Sequence, residues 1–275
     1  MHAYVINLAR SAHRRAHIIE ELRRTGMDYE IVTAVDGREL DLGDRSVVDA
    51  DLATHMGLPD DPGNSIYAGS VGCALSHLEV YRTLIAQDRE RALVLEDDVL
   101  LPDDLDALAE EVAAQLSGAE IAMLSYDSPE PCRMAVEDSV RLPSGRVLAL
   151  PVDVRQPRSG AAYIITRDAC ERMVKSALPV RVLADDWWYY YREGVLDRVR
   201  CVVPLPVVKS ADHSSTIGSY SQPTGLRARL AGLLLKRRIP GVHQALAWRR
   251  RGIYRRWGQS ELVDVPFVEK ASRLA

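Results

Sequence analysis

The chain has 275 residues, of which 47% are hydrophobic and 27% charged, and these proportions are typical of a globular protein. They exclude disorder, collagen and coiled coil as the main architecture, and no apolar run approaches the ~18–20 residues that a membrane-spanning helix needs. Acidic residues outnumber basic ones by 39 to 35, which gives a net charge of −4.

The first 37 residues predict a strand, a helix and a second strand. Residues 4–8 are a short run rich in β-branched side chains, which is typical of a buried parallel strand. Ser11 can cap the helix that follows, and Gly26 ends it. Residues 29–34 predict the second strand. This order is how a mononucleotide-binding α/β domain begins.

Helices and strands continue to alternate up to residue 203. Residues 38–68 predict a surface excursion, and residues 126–158, with five prolines, predict a loop with a small hairpin. The predicted helices are 74–87, 102–116 and 168–177, and the predicted strands are 91–95, 121–125, 161–165 and 199–203, the last at a sheet edge. The expected fold is a mixed, mostly parallel sheet flanked by helices.

The end of the chain differs in charge from the rest. Residues 225–258 contain ten Arg or Lys and no acidic residue, and subtracting these ten from the 35 basic residues leaves 25 against 39 acidic ones. We expect residues 1–222 to form the α/β domain and residues 223–275 a basic helical C-terminal segment, with helices near 226–238 and 242–256. These helices either dock on the domain with a solvated basic side or attach to an anionic membrane or a phosphorylated acceptor.

Three consecutive acids, Glu96, Asp97 and Asp98, follow the apolar strand 91–95. Open α/β sheets bind their ligands at the carboxyl ends of strands. Adjacent carboxylates repel each other unless a cation or hydrogen-bond donors share the site, and oxygen ligands suit Mg²⁺ or Mn²⁺. The triplet therefore predicts either a divalent metal site or an acidic turn with solvated side chains.

Four short motifs occur in a characteristic order: NLAR at 7–10 followed by Arg14, AVDG at 34–37, GCALSH at 72–77 and LEDDV at 95–99. In this order they resemble glycosyltransferase family 25, which contains lipooligosaccharide and collagen galactosyltransferases. The resemblance covers roughly residues 3–213. The chain departs from the family pattern at Ser70, where we expect glutamate.

The resemblance implies a GT-A-like fold, a nucleotide-sugar donor such as a UDP-sugar, and a divalent metal held by an Asp-x-Asp-like element. The segment 96–98 matches that element. Asp98 is the expected metal ligand, and Glu96 is expected to contact the donor ribose or sugar and is a second candidate ligand. Asp97 belongs to the expected donor site. The metal is expected to be Mn²⁺ or Mg²⁺.

Asn7, Arg10 and Asp36 stand at the ends of the first two strands, where such folds hold the base and ribose. Arg10 or Arg14 could also bind phosphate, because guanidinium suits phosphate recognition. The alternatives are a turn residue for Asn7 and an exposed helix face for the two arginines.

Ser76 and His77 lie in the third motif, which extends the expected donor site to them; a helical histidine can equally be packed or capping. His213 stands in a polar loop after the last predicted strand. In GT-A enzymes a histidine from this region often completes the metal shell, and neutral imidazole can bind Mn²⁺. An ordinary polar loop is the alternative for His213.

Asp185 and Asp186 precede five consecutive aromatic residues. An aspartate there can cap a helix, or it can deprotonate an acceptor hydroxyl as the base of an inverting transfer. Asp186 is favoured over Asp185 because it adjoins the aromatic run. Trp187, Trp188 and Tyr189 are the expected acceptor-binding surface, since aromatic rings stack on sugar faces.

These observations predict a metal-dependent inverting glycosyltransferase that moves a hexose onto a lipopolysaccharide or other envelope saccharide. The expected hexose is galactose, and the expected donor is UDP-galactose. A catalytically degenerate transferase that binds glycan or lipid, and a Mg-dependent phosphoryl-transfer enzyme, are the alternatives.

The acceptor is expected to be lipid-linked, with the basic segment contacting an anionic membrane. No nucleic-acid partner is expected because the acidic body would repel the backbone. Four scattered cysteines and the absence of a signal pattern favour the cytoplasm, at the inner membrane face.

Overall fold

The computed structural model describes residues 1–56, 65–128 and 132–211 and the backbone of residues 260–263. The predicted helices near 226–238 and 242–256, and His213, lie outside the described residues. Within the described ranges no helix is both long and apolar enough to span a bilayer.

Helices and strands alternate along the described residues. The helices are α1 Ala12–Thr25, α2 Leu52–Met56, α3 Ser65–Ala86, α4 Leu105–Ala113, α5 Arg167–Ser176 and α6 Trp187–Arg192. The strands are β1 His2–Asn7, β2 Asp28–Thr33, β3 Arg91–Glu96, β4 Val99–Leu100, β5 Glu120–Met123, β6 Cys132–Ala135, β7 Val140–Arg141, β8 Val147–Ala149, β9 Ala162–Thr166, β10 Arg198–Val203, β11 Val208–Lys209 and β12 Ser260–Val263.

The central sheet has eight strands in the order β2-β1-β3-β9-β5-β10-β8-β7. Strands β9 and β8 run opposite to the other six. This confirms the predicted mixed, mostly parallel sheet. The prediction that residues 199–203 form an edge strand is wrong, because the β7–β8 hairpin adds to the sheet outside β10. Two further pairs, β11 with β4 and β12 with β6, are separate from this sheet.

Both faces of the sheet are covered, and the sequence of β1 reflects this. Tyr4 and Ile6 belong to one buried apolar cluster, and Ala3 and Val5 belong to a second cluster on the opposite side. Successive side chains of a strand point to opposite faces, so a strand covered on both sides is apolar at every position. The short apolar runs of β1, β3 and β9 are therefore central strands.

Helix α3 begins at Ser65, well before the start predicted near residue 74. Its first residues, 65–68, fall within the predicted surface excursion, and Gly72 lies inside the helix where another backbone approaches it. A Cβ atom on Gly72 would lie 2.7 Å from the nitrogen of Gly37 and 2.7 Å from the oxygen of Val35. Glycine at position 72 thus allows α3 to pack against the turn that follows β2.

Replacing Gly72 with alanine tests this close approach. Helix propensity alone would make Gly72→Ala stabilising by up to about 1 kcal/mol. We expect the reverse, a loss of about 1–3 kcal/mol in unfolding free energy measured by denaturant titration, because the added methyl group overlaps a backbone that cannot move freely.

Gly43→Ala is the matched control, because only the flexible Asp41 side chain lies near its Cβ position, at 3.1 Å. A Gly72→Ala protein at least as stable as the parent would contradict the packing.

Candidate active site

One cleft lies at the edge of the sheet where β1, β2 and β3 end, which is the same edge for all three because they are parallel. It encloses about 820 Å³, counting the part open to solvent. Seven of the eight residues predicted to bind the donor line this cleft, and only Asn7 does not. The predicted metal ligand Asp98 also lines it. The lining residues predicted from sequence are Arg10, Arg14, Asp36, Ser76, His77, Glu96, Asp97 and Asp98.

The acids after β3 point into this cleft and not into bulk solvent, and Arg14 holds two of them. Asp97 and Asp98 are both buried, and Nη2 of Arg14 lies 2.7 Å from Asp97 Oδ1 and 2.8 Å from Asp98 Oδ2. Asn7, also buried, donates its amide to Asp97 Oδ2 at 2.6 Å. Asn7 therefore lies behind Asp97 and orients it. Arg14 packs inside the site, so the alternative of an exposed helix face does not apply to it.

The positive charge of Arg14 does not fully offset the cost of burying these two carboxylates. Burial raises the pKa of Asp97 and of Asp98 above the usual range, and the positive charge of Arg14 only partly opposes this. Asp98 keeps one buried oxygen, Oδ1, with no hydrogen-bond partner among the described residues. An unpaired carboxylate oxygen in a carboxylate-rich cleft is a suitable ligand for a hard divalent cation. Asp98, with Glu96 beside it, therefore fits the expected metal.

Lys209 and Asp127 are charged residues near the site that the sequence did not single out, and Arg38 at the cleft mouth is a third. Strand β11 pairs with β4, which directly follows the acidic triplet, and this pairing brings Lys209 to the carboxylates. Burial lowers the pKa of Lys209, but the charges of four carboxylates outweigh it and the pKa is raised; these are Glu96, Asp98, Asp127 and Asp185. Asp127 follows strand β5, so the strand-end rule that identified Glu96 could have identified it. Lys209 carries no comparable signal.

The two aspartates before the aromatic run have different environments. Asp186 is the N-cap of α6, and its carboxylate accepts a hydrogen bond of 3.2 Å from the backbone nitrogen of Tyr189. Asp185 is half-buried like Asp186, but it is not the capping residue of this helix. Burial, followed by the charge of Glu96, raises the pKa of Asp185. Asp186 thus caps helix α6. Asp185 is the aspartate whose carboxylate interacts electrostatically with Glu96.

The aromatic run divides between core and surface. Trp187 is only 1% exposed, and its indole nitrogen donates to the Ser159 carbonyl at 3.0 Å. The prediction that Trp187 faces an acceptor is therefore wrong, because the first residue of α6 points into the core. Trp188 and Tyr189 are half-buried, and each ring is covered by an arginine: the guanidinium carbon of Arg155 is 5.5 Å from Trp188 and that of Arg192 is 5.4 Å from Tyr189.

Helix α3 forms the opposite wall of the cleft with three side chains on one face. Ser76 accepts a hydrogen bond of 2.8 Å from the Val35 nitrogen, which joins α3 to the turn after β2. Cys73, His77 and Glu96 have ligand atoms within 4.8 Å of one another and form a second group that could hold a metal ion. The pKa of Glu96 falls to about 2, because burial raises it less than His77, Lys209 and Arg14 lower it.

The cleft mouth carries a small ion-pair network. Asp36 pairs with Arg10 and with Arg38. Hydrogen bonding from Arg38 is the largest of the effects that lower the pKa of Asp36 to about 2. Arg10 and Arg38 are both exposed, so these pairs add little stability, but they present guanidinium groups beside the cleft.

Comparison with known proteins identifies relatives of this chain. The sequence model of Glycosyltransferase family 25 (LPS biosynthesis protein) matches residues 1–188. Inactive glycosyltransferase 25 family member 3 of Mus musculus is 33% identical over 139 residues, which cover 46% of this chain and 22% of that protein. Procollagen galactosyltransferase 2 of Homo sapiens is 34% identical over 100 residues, which cover 35% of this chain and 15% of that protein. The chain thus spans less than a quarter of either relative.

Among solved structures, the chain is similar to a glycosyltransferase involved in the glycosylation of the major capsid of PBCV-1. The TM-score is 0.27 and the identity 9%, with 74% of this chain and 92% of that chain covered. At this TM-score the likeness has no bearing on function.

Removing the buried charge of Arg14 tests the electrostatics of the site. We expect Arg14→Met to lower the unfolding free energy by about 3–5 kcal/mol near neutral pH, because two buried carboxylates lose their shared cation. The pKa values of Asp97 and Asp98, already raised in the folded state, rise further in the variant. Protonation then relieves the repulsion, so the deficit relative to the parent shrinks as the pH falls through those values.

Urea titrations at a series of pH values measure this deficit. Arg15→Met, an exposed neighbour on α1, is the control and should be nearly neutral at every pH. A deficit that is small, or that grows toward low pH, would contradict the arrangement.

Proposed function

The chain belongs to glycosyltransferase family 25, and from this premise we propose that it is a metal-dependent inverting glycosyltransferase. The donor is UDP-galactose, and the acceptor is a saccharide of a lipopolysaccharide or similar envelope glycan. The observation that carries this proposal is the cleft at the carboxyl ends of β1–β3, where Asp98 offers a buried carboxylate oxygen that has no hydrogen-bond partner in the described part of the chain. Such an edge is where open α/β sheets bind nucleotides.

The donor would lie between the acids after β3 and helix α3. Asp36 is suited to accept hydrogen bonds from ribose or base, and Arg10 is suited to pair with the diphosphate. Arg14 is less available to a ligand, because it already bridges Asp97 and Asp98. Its task in the proposal is to hold the two carboxylates in place.

Asp98 and Glu96 would hold the divalent cation, and His213 remains a further candidate. When bound, Mn²⁺ or Mg²⁺ would neutralise charge on the departing diphosphate. Lys209 contributes a positive charge beside the same carboxylates. The net charge of this cluster remains negative, which favours cation binding.

Asp185 is the base that we favour for the acceptor hydroxyl. Its pKa is raised by burial, which makes the carboxylate a better proton acceptor than an exposed one. It precedes α6, whose Trp188 and Tyr189 are the remaining candidates to stack on an acceptor sugar. Asp186 is less suited, because its carboxylate already accepts the capping hydrogen bond.

The basic stretch 225–258 supports a lipid-linked acceptor. Ten basic residues without an acidic one would be attracted to an anionic bilayer or a phosphorylated lipid. We place the enzyme at the inner face of the cell membrane on this ground.

A catalytically inactive protein that binds glycan or lipid is the second candidate. The observation that favours it is the name of the mouse relative, an inactive member of the same family. Turnover by the purified protein separates the two candidates.

The first experiment measures UDP release from UDP-galactose with Mn²⁺. We expect turnover by the parent protein and a loss of about 100-fold or more in Asp98→Asn, since metal stabilisation of a leaving diphosphate is worth several kcal/mol. Asp51→Asn, an exposed acid on the surface, is the control and should match the parent. No turnover and no donor binding by the parent would reject the proposal in favour of an inactive protein.

The second experiment compares the neighbouring aspartates. Asp185→Asn should lower kcat by about 10²–10⁴-fold, because an amide cannot accept the acceptor proton. Asp186→Asn should keep kcat and stability near the parent values, because asparagine caps a helix as well as aspartate does. The opposite ranking, with both variants equally stable in a thermal melt, would assign the base to Asp186.

A further inference from the structure

Three side chains form a buried hydrogen-bonded series that runs from the core to the cleft wall and that the proposed function does not use. The hydroxyls of Tyr81 and Tyr163 are 2.8 Å apart, and the Tyr163 hydroxyl is 2.8 Å from Nδ1 of His77. All three residues are at least 98% buried. We call this series the Tyr81–Tyr163–His77 relay. Its far end is Nε2 of His77, which lies 3.8 Å from Oε1 of Glu96.

The relay can be protonated in two directions when His77 is neutral. In the first, Tyr81 donates to Tyr163, Tyr163 donates to Nδ1 of His77, and the imidazole proton is on Nε2. In the second, His77 donates from Nδ1 to Tyr163, and Tyr163 donates to Tyr81. Each direction fixes one histidine tautomer, because the two ring nitrogens of neutral imidazole have opposite roles.

Hydrogen-bond satisfaction distinguishes the two directions. Within the described part of the chain, Tyr163 is the only hydrogen-bond partner of the Tyr81 hydroxyl. The second direction therefore leaves the buried Tyr81 proton without an acceptor, and it turns the Nε2 lone pair toward the Glu96 carboxylate. The first direction satisfies both hydroxyl protons and directs an N–H at Glu96. Unsatisfied buried polar groups are costly, so the first direction is favoured.

Packing holds the imidazole in this place. The Trp187 ring meets Tyr163 edge-on at 5.0 Å, and Tyr163 stacks on His77 at 5.7 Å. Gly160 also approaches the ring, so closely that a Cβ there would lie 3.2 Å from Cε1 and 3.3 Å from Nε2 of His77. The backbone at Gly160 therefore limits the ring to its position beside Glu96.

From this geometry we propose that Tyr163 is a positioning residue: it holds His77 as the Nε2–H tautomer, whose N–H donates to Glu96 and orients that carboxylate toward the donor sugar or ribose. The gap of 3.8 Å would close when the donor binds, since hydrogen bonds of a site often tighten only in the complex. The inference rests on the proposed function and on the expectation from the sequence that Glu96 contacts the donor ribose or sugar. It also implies that Nε2 is not a metal ligand, because that nitrogen carries the proton.

Nitrogen-15 NMR of the histidine side chains tests the tautomer without any assay of activity. The His77 signals are assigned by their loss in His77→Gln, and the full chain is measured at about pH 8, above the ordinary imidazole pKa of ~6.5. We expect a protonated Nε2 and an unprotonated Nδ1 in the parent. A proton on Nδ1, or on both nitrogens, would overturn the proposal, and the first of these would instead favour a metal at Cys73, His77 and Glu96.

Two phenylalanine variants then separate positioning from packing. Tyr163→Phe should lose the tautomer preference and raise KM for UDP-galactose about tenfold. Tyr81→Phe should keep the tautomer preference and the KM for UDP-galactose near the parent values, because Tyr163 still has a proton to donate to His77. If both variants lower activity in proportion to their loss of melting temperature, the role is only structural and the proposal fails.

Two substitutions of His77 test whether Nε2, and not Nδ1, is the ring nitrogen that donates to Glu96. The amide of glutamine reaches the place of Nε2, whereas that of asparagine reaches only the place of Nδ1. His77→Gln should therefore retain more donor affinity than His77→Asn at equal thermal stability, and the reverse order would overturn the proposal. If the parent binds no donor but has the Nε2–H tautomer, the proposed function fails while the relay assignment stands.

Discussion

The site depends on positive charges that offset the cost of burying the carboxylates at the end of β3. Water would solvate three adjacent acids, but Asp97 and Asp98 are almost fully enclosed. Their charge is balanced from other parts of the chain, by Arg14 from α1 at both carboxylates and by Lys209 from β11 at Asp98. The balance is incomplete, because four carboxylates surround the one lysine. A cleft with residual negative charge, and with a carboxylate oxygen that no described residue contacts by a hydrogen bond, is suited to a divalent cation.

A second constraint, the close packing of α3 on the turn after β2, gives the cleft its other wall. Gly72 permits the approach, and the hydroxyl of Ser76 satisfies the nitrogen of Val35 at the contact. Because α3 is held there, its face with Cys73 and His77 lies opposite Glu96. The same helix thus joins the charged edge of the sheet to the buried tyrosines. Residues in the core, Trp187 among them, support the cleft without facing it.

Sequence reasoning succeeded where the placement of a residue follows from its position along a strand. Parallel strands bring their carboxyl ends to one edge, so Asp36 and the acids 96–98 could be assigned to one site before any contact was known. It failed where burial decides the role. The five aromatic residues after Asp186 are alike in sequence, yet Trp187 is in the core while Tyr191 is exposed. The helix predicted to begin near residue 74 begins at Ser65 and packs on another backbone at Gly72.

The sequence by itself determined the kinds of element, the mixed α/β class, the family and the strand-end acids, because each of these is encoded by neighbouring residues or by short ordered motifs. Only the tertiary structure decided which acids share a cation, that Lys209 and Asp127 join them, and that His77 has a tyrosine behind it. The physical reason is distance along the chain: Arg14 and Asp98, or His77 and Tyr163, are more than 80 residues apart. Interactions of that range depend on how the sheet and α3 are packed, and no local pattern records them.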